Sequence, residues 1–379
     1  MFERATALGL LLVALGAAAQ EPPPNVKLSG YYKNLLIRSE TVFPAGEDYT
    51  LDLNRLRLEL EGRLAPALAF DVQYDNELSL GNYLRTAEFA LRKGLPSQQY
   101  WKLASNYAEG GNYDARHGLY RAYTTLSFGA TDVRFGRQRI AWGTGRFWSP
   151  LDLFNPINPV ALERDERLGV DALLVEQQLG PLARVSAVYA PWHDSAEASL
   201  AALWHGNVAG ADYSVVGGRF RGDRVVGADM AGQVGAAGIR AELTYTRPRT
   251  GAEYARALLA ADYAFANTLT LSAELYFNGA GASDAADYDF ASLFAGRIQN
   301  VARRYLGLYA GYEITPLLKW TNYAVANLDD GSRFYSPGLT YSLRTNLDWT
   351  LGVQLFGGDA SSEYGRFKDV YYTYLQWYF

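Results

Sequence analysis

The side chains best placed to do chemistry are charged residues that recur on every second position. Arg55, Arg57, Glu59, Glu61 and Arg63 alternate with Leu56, Leu58, Leu60 and Gly62. Asp71 and Asp75 alternate with Phe70, Val72 and Tyr74, and Arg240 and Glu242 with Ile239, Ala241 and Leu243. Glu274 sits between Ala273 and Leu275, and Glu77, Arg121, Arg134, Arg184, Arg219, Arg221, Asp262 and Glu313 complete the set. Charges of both signs on one face can pair with each other and stiffen a wall. They can equally form a charged constriction that selects solutes in a narrow passage, where a low-dielectric wall magnifies the field. Both readings stand at this point. The basic group Arg134, Arg137 and Arg139 with Arg55, Arg57 and Arg121 favours anions wherever it outweighs the neighbouring acids. Arg137 and Arg139 share parity with Val133 and Phe135, so bringing them to the charged face requires a bulge near Gly136.

A second candidate is the stretch 136–159, GRQRIAWGTGRFWSPLDLFNPINP, with three prolines (Pro150, Pro156, Pro159) and two tryptophans. A loop running over the surface should be polar. Leu151, Leu153 and Phe154 here indicate an ordered segment packed on something else. Trp142, Arg146, Trp148 and Asp152 form a candidate ligand platform, since aromatic faces beside charged groups suit sugars or aromatic acids. A lid that only stiffens its surroundings is the alternative.

Other chemistry is poorly served. The chain has no cysteine, which removes thiolate metal sites and cysteine nucleophiles, and no His-Glu-x-x-His signature. Gly143-Thr144-Gly145 lacks the later glycine and the lysine of a phosphate loop. No metal, cofactor or catalytic residue is expected. A hydrolase would need a nucleophile, a base and an orienting group, with only His117, His193 and His205 as histidine bases. With 35 basic and 40 acidic residues, no cationic surplus points to nucleic acid.

The elements that position these residues are strands. Period-two alternation is the strand signature, and it recurs in 269–277 and 347–355. Strands are predicted at 26–39, 52–64, 68–79, 119–129, 131–142, 170–180, 182–191, 198–208, 211–221, 224–234, 238–248, 254–266, 268–279, 303–315, 317–328, 333–344, 347–357 and 366–379. That makes eighteen, or sixteen if Ser195 to His205 is a loop helix. Long connections 80–118, 143–169 and 280–302 all fall on one side, and short turns on the other. This pattern predicts an all-β, antiparallel up-and-down transmembrane barrel, wide enough to hold water. Segment 143–169 is then expected to fold into the mouth and narrow it. Segments 86–107 and 282–297 carry helical spacing and are expected as short helices in outer loops.

Residues 1–19 combine Arg4, an apolar core from Ala7 to Ala14 and the small residues Ala17-Ala18-Ala19, the pattern of a cleaved secretory signal peptide. Residues 20–25 form a Pro-rich linker, and 26–379 the barrel. The last nine residues, YYTYLQWYF, place Tyr371, Thr373, Leu375, Trp377 and Phe379 on one face and end on phenylalanine. This terminus resembles the final strand of Gram-negative outer-membrane β-barrel proteins of the porin type. The resemblance implies an outer-membrane location in contact with lipid and lipopolysaccharide. It also implies recognition of the Phe379 strand by the barrel-assembly machinery. The GRQ segment with its following Gly145-Arg146 is loosely similar to alginate-export-like and other porin-like families. The expected function is a channel for passive or selective diffusion of small hydrophilic solutes, anionic or sugar-like. A receptor, an adhesin or a sleeve for a partner protein is the alternative.

Overall fold

In the computed structural model, which describes residues 25–43, 45–95, 97–294 and 296–379, the chain forms one sheet closed on itself. The signal peptide and all of the linker but Asn25 lie outside the described residues. The strands are β1 (Asn25–Val42), β2 (Ala45–Ala65), β3 (Leu68–Leu80), β4 (Ala104–Glu109), β5 (Tyr113–Phe128), β6 (Thr131–Gln138), β7 (Val170–Gly180), β8 (Ala183–Ala190), β9 (Ser199–Val208) and β10 (Ala211–Phe220). They continue as β11 (Asp223–Val234), β12 (Ala237–Arg247), β13 (Tyr254–Ala264), β14 (Thr270–Asn278), β15 (Arg304–Thr315), β16 (Leu318–Asn327), β17 (Arg333–Arg344), β18 (Leu347–Gly357) and β19 (Val370–Tyr378). Every neighbour in the ring is antiparallel, and β4 alone stands outside it, leaving eighteen strands in the wall. Of the stretch Ser195 to His205 only Ser195–Glu197 forms a helical turn and Ser199 onward belongs to strand β9, so the sixteen-strand alternative falls.

Closure joins β1 to β19, from Tyr31 opposite Tyr378 to Arg38 opposite Tyr371. Gly30 and Phe379 exchange backbone hydrogen bonds of 3.0 and 3.1 Å at the seam. A Cβ on Gly30 would lie 2.2 Å from the Arg57 carbonyl oxygen, so only glycine lets β1 and β2 approach there. Closing the ring removes the unpaired edges that hydrocarbon cannot satisfy.

The outer face follows from the alternation. Leu200, Val215, Val226, Leu243, Leu259, Leu275, Leu308, Leu351 and Leu375 all stand exposed on it. Trp349, Tyr341 and Trp377 lie toward the short turns, and Tyr371, Tyr335, Tyr245 and Tyr189 toward the long loops. An apolar band between two aromatic levels is the surface that a bilayer selects.

Two local departures shape the interior. β6 stops at Gln138, four residues short of the predicted end, and pairs only with the lower part of β5. β4 takes the edge of β5 that β6 leaves, and Gln99 and Trp101 bond Gly169 and Asp171 beside β7. The predicted loop helix 86–107 is thus split into a helix α1 (Ala87–Lys93) and this wall patch. In 282–297 the helical part is α2 (Phe290–Phe294) and a single turn at Ala285–Asp287. The second departure corrects the bulge expected near Gly136. β6 pairs without slippage through Gly136, although its φ is +127°. The bulge lies on β5, where Gln73 faces Arg121 and Tyr74 faces Leu119. Tyr120 is the extra residue, and it and Arg121 both turn inward.

Candidate functional site

Residues 139–169, between β6 and β7, cross the lumen. They touch inward side chains of β1, β2, β12, β14, β16 and β18, which no surface loop could reach together. Two clusters fasten them. Ile140, Trp142, Leu151, Leu153 and Phe154 pack on inner faces of β7 to β11, against Leu174, Val188, Leu203, Val216 and Phe220. Phe147 and Trp148 pack on Leu258, Tyr276, Tyr305, Val325 and Phe334. The folding-in expected of 143–169 is therefore found, and its apolar residues supply the reason.

Polar latches complement this packing. Glu242 on β12 accepts the backbone N–H groups of Thr144, Gly145 (2.8 Å) and Leu151 (3.1 Å) and the Ser149 hydroxyl (2.8 Å). Glu274 on β14 accepts N–H groups of Arg146 (2.6 Å) and Phe147 (2.8 Å). Arg240 donates to the Thr144 carbonyl and pairs with Asp262 at 2.7 Å. On the far wall the sense is reversed, with wall cations holding loop acids. Glu163 meets Lys33 at 2.8 Å and Arg55 at 2.9 Å, and Glu166 meets Arg57 at 2.8 Å. Arg55 also pairs with Glu77 and Arg57 with Asp75, each at 2.6 Å.

These contacts sort the predicted site residues. Arg55, Arg57, Asp75, Arg240, Glu242 and Glu274 face inward as expected, but they are tied to the loop or to neighbours. Their charge is spent on holding the constriction. Arg134 approaches Glu176 at 3.8 Å, and Asp71 takes a 3.4 Å bond from Tyr123. Glu59 faces inward on β2 with no ion pair among the described residues. Trp142 and Trp148 are corrected. At 8% and 2% exposure they anchor the loop rather than present a platform. Trp142 packs edge-on to Phe154, and Trp148 stacks on Tyr276 at 5.2 Å. Asp152, 3% exposed, pairs with Arg167 at 2.8 Å and takes the Asn155 N–H. Burial pushes its carboxyl up to about 7, and Arg167 only partly offsets this.

Arg137 is corrected too. It is 1% exposed inside the wall, bonded to Asp171 at 2.8 Å and to the carbonyls of Trp101 and Leu119. The positions flanking it explain the placement. It shares parity with outward-facing Phe135, and Trp101 packs against that ring. Arg219 also has outward parity, opposite Arg224, and Arg221 sits in the outer turn after β10.

The charged residues that stay exposed on the loop are two arginines and one acid, Asp165. Arg139 and Arg146 are exposed and have no acid within 4 Å among the described residues. Arg146 lies over Tyr309 at 4.4 Å and Arg164 over Tyr323 at 3.7 Å. Sequence reasoning missed Lys33, Tyr120, Glu163, Arg164, Glu166 and Arg167. The run Glu163-Arg164-Asp165-Glu166-Arg167, dense in charge before a strand, was the available signal.

The histidines build no catalytic group. His205 Nδ1 is 3.2 Å from Ser214 Oγ, but the nearby carboxylate, Asp229, bonds Ser214 and not the imidazole. A triad needs its carboxylate on the histidine. His193 stacks on Tyr100, and His117 sits on the outer face between Tyr74 and Tyr107. Among the described residues no group of three or more His, Cys, Asp or Glu could hold a metal ion.

No protein-family model matches the chain, and no curated protein does. Its fold, however, has solved counterparts. The outer-membrane protein OprD of Pseudomonas aeruginosa is similar with a TM-score of 0.58 at 9% identity, over 96% of this chain and 95% of that one. This is the fold of an outer-membrane porin barrel. OccK2 (OpdF) of the same organism, solved in complex with glucuronate, has a TM-score of 0.54 at 11% identity, over 93% and 98% of the chains. OpdK with vanillate gives 0.56 at 10% identity, over 94% and 98%. At such identities the likeness establishes architecture, and the site must be argued from this chain's own residues.

Proposed function

We propose that the chain is an outer-membrane channel through which small hydrophilic anions diffuse. One observation carries this: a loop latched across the lumen keeps Arg139 and Arg146 exposed against a single exposed acid of its own, Asp165, while Glu163, Glu166, Glu242 and Glu274 are engaged in latching. Uncompensated cations in a narrow, low-dielectric passage raise the local concentration of anions. The fold's counterparts hold glucuronate and vanillate, both carboxylates, which supports the same class of solute. Residues 1–19 would direct export, the apolar band would meet lipid and lipopolysaccharide, and the strand ending in Phe379 would be read by the assembly machinery.

A plugged barrel that acts as receptor or sleeve is the second reading. It is favoured by the two apolar clusters with which the loop fills part of the lumen. Conductance in a planar bilayer under a salt gradient separates the two. A steady conductance with an anion-selective reversal potential supports the channel. Protein that is folded by heat-modifiable gel migration yet never conducts would sink it.

A further inference from the structure

Phe43, Leu91, Leu95 and Phe294 come from three different connections at the long-loop end of the barrel, and each stays well exposed. Apolar side chains gathered at an aqueous surface mark a binding site. Here they share one cavity of about 510 Å³. Small-molecule sites run to about 300–1,000 Å³. The β1–β2 turn, helix α1, residues 158–160, helix α2 with the residues after it, and residues 363–367 close around this space. One side is therefore the constriction loop itself, through Pro159 and Val160. Neither Arg139 nor Arg146 lines it.

The lining decides what fits. Phe43, Phe294 and Phe367 bring aromatic rings, the last two edge to face with centroids 6.0 Å apart. Val42, Leu91 and Val160 add aliphatic surface. The charges of the lining are already engaged. Glu88 accepts the N–H groups of Val42 and Phe43, the Tyr83 hydroxyl and, at 3.0 Å, Arg92 Nε, which occupies that arginine as well. Glu363 accepts the Tyr305 hydroxyl at 2.8 Å and the Asn327 amide at 2.9 Å. Burial raises its carboxyl to about 8, so it is mostly protonated at neutral pH. A charged ligand would give up its hydration here with no opposite charge free to meet it. Gln299 is different. Its amide lines the cavity and has no hydrogen-bond partner among the described residues, so it offers both a donor and an acceptor. We propose that this cavity binds small uncharged aromatic molecules of one or two rings, held by a hydrogen bond to Gln299, apart from the path of the anions.

The absence of cysteine makes the test direct, because one introduced thiol reports one place. Leu91→Cys puts it in the cavity, on a side chain 56% exposed. Leu328→Cys puts it in the β16–β17 turn, at 48% exposure and away from the cavity. In outer-membrane vesicles a charged methanethiosulfonate should label both. Indole should slow the labelling of Leu91→Cys several-fold and leave Leu328→Cys unchanged. Benzoate, an aromatic anion, and glucuronate should protect far less. Ala291→Trp, at an exposed position of α2 that lines the cavity, should abolish the protection while heat-modifiable migration is kept. If that variant fails to fold, Ala291→Phe takes its place. Labelling of Leu91→Cys at the same rate with and without indole overturns the proposal, as does equal slowing at both cysteines. Benzoate protecting as well as indole also overturns it, and so does protection that survives Ala291→Trp. The assay reads no current, so its result is independent of whether the barrel conducts.

Discussion

Gly145 and Glu242 are 97 residues apart in the chain, and the N–H of one reaches the Oε1 of the other at 2.8 Å inside the barrel. The bond is one of a set in which two wall carboxylates, Glu242 and Glu274, hold the constriction loop by its backbone. A charged acceptor makes each such bond worth about 1.5–3 kcal/mol. Glutamine keeps the size but turns one oxygen into a donor aimed at N–H groups. The double substitution Glu242→Gln/Glu274→Gln should loosen residues 143–151 without unfolding the barrel. Single-channel recording should show higher mean conductance and more current noise, with heat-modifiable migration unchanged.

Arg139 and Arg146 should set the sign of selectivity. Replacing both by glutamate changes the local charge by four units where the wall concentrates the field. The reversal potential under a salt gradient should move from anion-selective toward cation-selective. Screening over about 10 Å at 0.1 M salt predicts a larger shift at lower salt. Arg55→Gln should instead weaken the Glu163 latch, with a smaller shift in sign and a greater change in conductance. An unmoved potential in the double glutamate variant would remove these arginines from the pathway.

Loop docking should depend on pH through Asp152. Its carboxyl is raised to about 7 in the folded loop, chiefly by burial, against an ordinary value near 4. A raised carboxyl favours the protonated form. Its stabilising contribution is complete below about pH 4 and is lost as pH rises through about 7. Hydrogen exchange of residues 149–157, corrected for intrinsic rate, should therefore be slower at pH 5 than at pH 8. Asp152→Asn should flatten that profile. Glu363, in the outer loop before β19, is raised to about 8 by burial and should act in the same direction, so Glu363→Gln is the matching control.

The strand ladder was readable because period two is imposed by lipid on one side and water on the other. Leu56, Leu58 and Leu60 against Arg57, Glu59 and Glu61 could pack no other way in a closed wall. The loop's entry was readable from its apolar and proline content. The roles inside the lumen were not. Parity says that Arg55 faces inward, but whether it meets solute or Glu163 depends on a loop returning 108 residues later. Trp148 has the composition of a platform, and only tertiary packing on Tyr276 shows it to be an anchor. Arg137 misled for a different reason. Its parity is outward, and the cover that makes this tolerable comes from Trp101, in a segment with no periodic signal.

That cover yields the last prediction. Arg137 and Asp171 pair at 2.8 Å with side chains 1% and 0% exposed, where β6 leaves the wall and Gln99 to Trp101 fill the gap. Removing one partner strands a buried charge, which costs about 3–5 kcal/mol. Asp171→Asn and Arg137→Ala should each lower the urea midpoint of the barrel in detergent micelles. The double change to leucine at both positions removes both charges, and apolar replacement of a buried pair is often neutral. Recovery here should be incomplete, because Arg137 also satisfies the carbonyls of Leu119 and Trp101, which leucine cannot. Ion selectivity should stay the same in all three, since neither side chain meets the lumen water. A changed reversal potential in Asp171→Asn would show that the pair serves the pathway and not the wall.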